Sequence, residues 1–107
     1  MSLFDELKSL VGKELNAADL GKLKSAFDEF IVGNADEKAA ATAIAANVRN
    51  ATEAYLDGTL SRHSFEFVLE HSKDAALMLA EAKSIRLKKA AIKVFFNVVI
   101  TVLTKKL

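Results

Sequence analysis

The chain has no cysteine, no proline and no tryptophan, with one tyrosine and four glycines among its 107 residues. Without thiols it can form neither a disulfide nor a thiolate metal site, and cysteine catalysis is excluded, a pattern that suits a reducing compartment. Without proline, and with so little glycine, almost nothing interrupts a helix. The residues that fill the chain instead (Ala, Leu, Lys, Glu) are strong helix formers. Neither GxGxxG nor GxxxxGK[ST] occurs, so no phosphate-cradling loop is expected, and there is no HExxH or paired ExxH pattern for a helical metal site. The start, MSLFDELKSL, carries acids where an export signal carries basic residues and has no long apolar run. The expected address is therefore cytoplasmic.

With hydrophobic residues at 51% and charged residues at 27%, the composition is that of a globular chain rather than a disordered one. Mean hydropathy is +0.19. The length fits one helical domain over residues 1–107. Net charge is only +1, but it is unevenly spread. Residues 1–37 hold four lysines against eight acids, whereas residues 75–107 hold seven cations against Glu81 alone.

Start and stop signals divide the chain. Ser2 with Asp5 three residues on is an N-cap, followed by Leu3, Leu7, Leu10 and Val11 at helical spacing up to Gly12. Asn16 caps a second helix whose apolar face is Leu20, Leu23, Phe27, Phe30 and Ile31, with Gly33 as its stop. A third helix begins after Asn34, places Asp36 and Glu37 in its first turn, and runs to Leu56 along a seam of Ile44, Val48, Ala51 and Tyr55. Its Ala-rich run from Ala39 to Ala46 either lets another helix approach closely or simply favours helix. Asp57-Gly58 is a turn signal.

After Gly58 there is neither Gly nor Pro. A helix capped by Thr59 or Ser61 and running to Lys105 would be about 65–70 Å long. A domain of this length is only about 35 Å across, so the helix either breaks or reaches another chain. Ser72-Lys73-Asp74 is the best internal start signal and Ser84 a weaker one, because Arg86 and Lys88 would face a positive helix end.

The last quarter, IRLKKAAIKVFFNVVITVLTKKL, is at once the most apolar and the most basic part. Alternation of Val94, Phe96, Val98, Ile100 and Val102 would suit a strand, but no second strand candidate exists to pair with it. As a helix it gathers Arg86, Lys89, Lys93, Asn97, Thr101 and Thr104 into one narrow polar stripe. A stripe so thin predicts a helix enclosed on most sides. The expected seam is Ile92, Phe96, Val99 and Leu103. The apolar run from Ala90 to Leu103 is 14 residues and includes Lys93 and Asn97, short of the roughly 20 that a membrane span needs.

The chain is thus expected to be all-α: a small antiparallel bundle of four helices, or five if the last stretch breaks, with a long apolar C-terminal helix. The expected function is non-enzymatic interaction or assembly, as a homodimer or larger homo-oligomer or with a protein partner. Ile92, Phe95, Phe96, Val99 and Leu103 are its candidate interaction residues. Two other readings are carried. A Lys-flanked apolar helix could dock on a membrane surface. His63, Glu66, Glu70 and His71, near Asp74 on one helix, could hold a metal for a small helical enzyme, although a solvated acidic face is the preferred account of them and no metal is expected. Lys83, Arg86, Lys88 and Lys89 form a basic patch, but without a helix-turn-helix pattern or interleaved aromatics nucleic acid is not an expected partner. No cofactor is implied. Phe65, Phe67, Val68 and Leu69 read as core.

Overall fold

Each of the first three helices starts where a short polar side chain can satisfy its free N–H groups. The computed structural model describes residues 2–82 and 89–107. In it, α1 (Leu3–Val11) opens on a reciprocal capping box between Ser2 and Asp5. The Ser2 hydrogen bonds hold the Asp5 carboxyl below the usual aspartate range. Helix α2 (Ala17–Phe30) opens on Asn16, whose side chain accepts from the Asp19 N–H at 2.8 Å. Helix α3 (Ala35–Leu56) opens on a second capping box, Asn34 with Glu37. Ser61 accepts from the Ser64 N–H at 3.1 Å just ahead of α4 (Arg62–Ala82). The last helix is α5 (Lys89–Lys106). Among the described residues there is no strand.

Gly33 is required by two facts together. Its φ is +101°, a left-handed value that side chains rarely adopt, and an added Cβ would lie 2.8 Å from the Glu37 side chain. That contact would disturb the capping box of α3. Asn34→Ala is expected to cost about 1 kcal/mol by removing the cap, read as a shift of the urea midpoint at unchanged slope, whereas Asn34→Asp should restore most of it.

The chain after Gly58 breaks, and it breaks later than the best sequence signal. Ser72-Lys73-Asp74 lies in the middle of α4, because a serine start signal with no glycine or proline before it does not outweigh a helix already propagating. The weaker signal at Ser84 lies outside the described residues. At 18 residues, α5 is shorter than α3 at 22 and α4 at 21. It spans about 27 Å, within the molecule's longest extent of 37 Å.

The helices form a closed ring in the spatial order α1, α2, α5, α4, α3 and back to α1. Consecutive helices α3 and α4, and α4 and α5, lie side by side. Helices α2 and α5, far apart in sequence, pack antiparallel: Phe30 meets Phe95 at one end and Asp19 meets Lys106 at the other. All five helices contribute to one core, including Leu7 and Val11, Leu23 and Phe27, Ala45 and Val48, Phe65 and Leu69, and the inner face of α5. Its aromatic centre is Phe95, which stacks on Phe30 at 4.3 Å and meets Phe27 and Phe96 edge-on at 5.1 and 5.2 Å.

Helix α5 is therefore a member of the ring rather than an enclosed axis. Its principal neighbours are α2 and α4, and Lys93, Val94, Asn97 and Thr101 all face solvent. The polar stripe is outward as expected, but the exposed strip is wider and takes in Val94. Two flanking helices and one core face cover about half of a helix surface.

The end of α5 is held from three sides. The Tyr55 hydroxyl, on α3, donates to the Leu107 backbone oxygen at 3.0 Å. The Arg62 guanidinium, on α4, donates to the Thr104 carbonyl, supplying one of the last-turn carbonyls with a partner. Lys106 lies 3.8 Å from Asp19 at the start of α2. Asp19 is buried, with no hydrogen bond to its Oδ2, so this ion pair is what compensates its charge.

Candidate functional site

The five residues expected to bind a partner, Ile92, Phe95, Phe96, Val99 and Leu103, are all inside the monomer, at 0–1% exposure. They are the contacts of α5 with its own bundle, and a partner could reach them only by opening it. Periodicity finds an apolar seam equally well whether its neighbour belongs to the same chain or to another. Val94, Phe95, Val98 and Val102, the residues that would enter lipid, are divided by the fold: Phe95 and Val102 are buried, Val98 is half-buried and only Val94 is exposed. Among the described residues no helix is long and apolar enough to cross a membrane.

The helical stripe of His63, Glu66, Glu70 and Asp74 lies on the outer face of α4. Glu66 pairs with Arg62 at 3.4 Å and Glu70 with Lys73 at 2.9 Å. Glu70, by accepting from it, holds the Lys73 ammonium above the usual lysine range, with Asp74 adding a smaller attraction. His71 stacks on Phe67 with ring centroids 6.0 Å apart. Among the described residues no group of three or more His, Asp or Glu side chains is placed to hold a metal ion. Of the basic patch, Lys83, Arg86 and Lys88 lie outside the described residues. Lys89 opens α5 and is exposed.

What the fold does assemble is a face built from the outer sides of α4 and α5. Phe65 turns inward and stacks on Tyr55 at 4.6 Å. Phe67 lies about 200° further round the helix and is therefore outside, at 65% exposure. The expectation that it joins the core fails for that reason: two positions about 200° apart on a helix cannot both face inward. Met78, on the same stripe of α4, is 69% exposed, and Val94 on α5 is 57% exposed. Between the helices runs a groove. One stretch of about 570 Å³ is lined by Asp74, Leu77, Lys93, Val94, Asn97 and Thr101 among others. The next, of about 400 Å³, is lined by His63, Glu66, Phe67, Glu70, Ile100 and Thr104. Glu70 and Ile100 border both, so the two form one continuous channel along the helix pair.

Both walls of the channel carry charge. The α4 wall holds Glu66, Glu70 and Asp74 together with Lys73, and Arg62 and Lys73 pair with Glu66 and Glu70 along that helix, while the α5 wall contributes Lys93. Asp74 and Lys93 line the same stretch from opposite walls, and among the described residues neither forms an ion pair. Comparison with protein-family models, curated proteins and solved structures finds no match.

Proposed function

We propose that this protein is a non-enzymatic helical interaction protein that assembles with copies of itself through the outer α4–α5 face, and that it works in the cytoplasm. The observation that carries this reading is the placement of Phe67, Met78 and Val94. Single exposed apolar side chains are ordinary, but large ones gathered beside a groove mark association surfaces. Phe67 and Val94 line the channel, one in each stretch, and Met78 lies on the stripe of α4 that holds Phe67, about three turns further along. The walls of the channel also supply a polar rim, the ordinary surround of an apolar contact.

Light scattering at micromolar concentration is expected to give twice the monomer mass. Phe67→Glu should return the protein to a monomer with unchanged helical content, since a charge would be placed at the centre of the contact while the core is untouched. A wild-type protein that stays monomeric up to about 100 μM, where only an affinity weaker than about 5.5 kcal/mol would escape, would end this reading.

A further inference from the structure

We infer that the link 31–34 between α2 and α3 is a hinge, and that the arm before it, α1 with α2, can exchange places with the arm of a second copy, with Gly33 holding the closed form. This is independent of the outer-face association proposed above. Of the three links described, this one differs from the others. Helices α1 and α2 meet, and α3 and α4 lie side by side, so straightening the links between them would break a seam. Helices α2 and α3 do not pack along each other. Opening the link between them gives up no seam of its own. The link is short, holds no proline to stiffen it, and exposes Val32.

Both seams that hold the arm are made with residues after the hinge. Helix α1 packs on α3, where Glu6 lies 3.9 Å from Arg49. Helix α2 packs on α5, where Phe30 stacks on Phe95 at 4.3 Å and Asp19 pairs with Lys106 at 3.8 Å. A second copy offers the same α3 and the same α5, so an exchanged dimer repeats these contacts and differs only at its hinges. An undocked arm would leave Leu7, Val11, Leu23, Phe27 and Phe30 in water. The complement of that face is the surface this chain itself presents, so the partner is a second copy.

The hinge sets the balance. A short link holds the arm beside its own body at an effective concentration on the order of millimolar, so with relaxed hinges exchange requires protein near that concentration. Gly33 is what relaxes the closed turn: its φ is +101°, and a Cβ there would lie 2.8 Å from the Glu37 side chain. An extended or helical open link needs no positive φ. Alanine at this position would therefore disfavour each closed turn by about tenfold. An exchanged dimer relieves two such turns, so its dissociation constant falls about a hundredfold, to roughly ten micromolar.

The test labels the α1–α3 seam. Glu6→Cys with Arg49→Cys gives the chain its only two thiols, across a seam on another side of the ring from the α4–α5 face. The protein is unfolded in urea, refolded at about 50 μM, above the constant expected for the alanine variant, and treated with a short bismaleimide. A closed chain, alone or paired through its outer face, links to itself and runs as a monomer on a denaturing gel. An exchanged pair links chain to chain and runs as a dimer. With Gly33 in place the monomer band is expected. With Gly33→Ala the linked dimer should become the main species at unchanged helical content. A second variant lacking Val32 and Gly33, whose link is too short to turn back, should give the same dimer. Variants that stay closed monomers, or that lose helical content without pairing, would overturn the exchange. So would a linked dimer that disappears when Phe67→Glu is added, since that face takes no part in it. The outer-face association stands or falls separately, on the mass of the wild-type protein.

Discussion

Phe95→Ala is expected to lower the unfolding free energy by about 3–5 kcal/mol. In a domain whose total stability is near 5–15 kcal/mol, that would remove a large part of it. The magnitude follows from where the ring sits. Phe95 is 1% exposed, stacks on Phe30 at 4.3 Å, and meets Phe27 and Phe96 edge-on. Truncation leaves a cavity bordered by three rings that cannot all collapse into it, and forfeits the ring–ring attractions besides. Phe96, fully buried beside it, should behave similarly on truncation. Urea unfolding followed by circular dichroism measures the loss. A change under about 1 kcal/mol would mean that the seam between α2 and α5 is not packed as described.

Ala45→Leu should destabilise by about 1–3 kcal/mol or more, and Ala43→Leu should leave stability almost unchanged. The two residues belong to the same Ala-rich run of α3, two positions apart. Ala45 has no exposed surface and lies in the core, whereas Ala43 faces solvent. A larger side chain at the first position pushes α3 away from its neighbours. At the second it only adds a good helix former to a wet surface. Equal effects at both positions would mean that the run serves helix propensity alone. The contrast is read from urea midpoints of the two variants.

The helices were legible because their signals are local. Ser2, Asn16 and Asn34 cap as their side-chain chemistry dictates, and the seam of Ile44, Val48 and Ala51 is buried as its spacing requires. The break after α4 was not legible in the same way. Ser72 offers a cap, yet it lies within an unbroken helix, because a cap can begin a helix only where the preceding turn ends. The candidate surface was the least legible part. Ile92, Phe96 and Phe67 are all large and apolar, and composition cannot say which of them faces out. For Phe67 a signal was present: with Phe65 and Leu69 inward, its angle on the helix points away from them. For Asp74 and Lys93, only the packing of α4 beside α5 reveals that they share a channel.

The ring order of the helices also constrains how the molecule assembles. Helices α3, α4 and α5 each lie beside the next in sequence, so they can zip up as a local array, the kind of contact that forms fastest. Helices α2 and α3 are consecutive but do not pack along each other, and the short link from Ile31 to Asn34 joins them. The ring therefore closes along two seams, α1 against α3 and α2 against α5, both between the first two helices and the last three. Before the array exists, joining α2 to α5 must overcome the chain entropy of all the residues between them. Once it exists, α5 is already held near the far end of that link and most of this entropy has been lost. Docking of the α1–α2 arm is then the expected late step in folding.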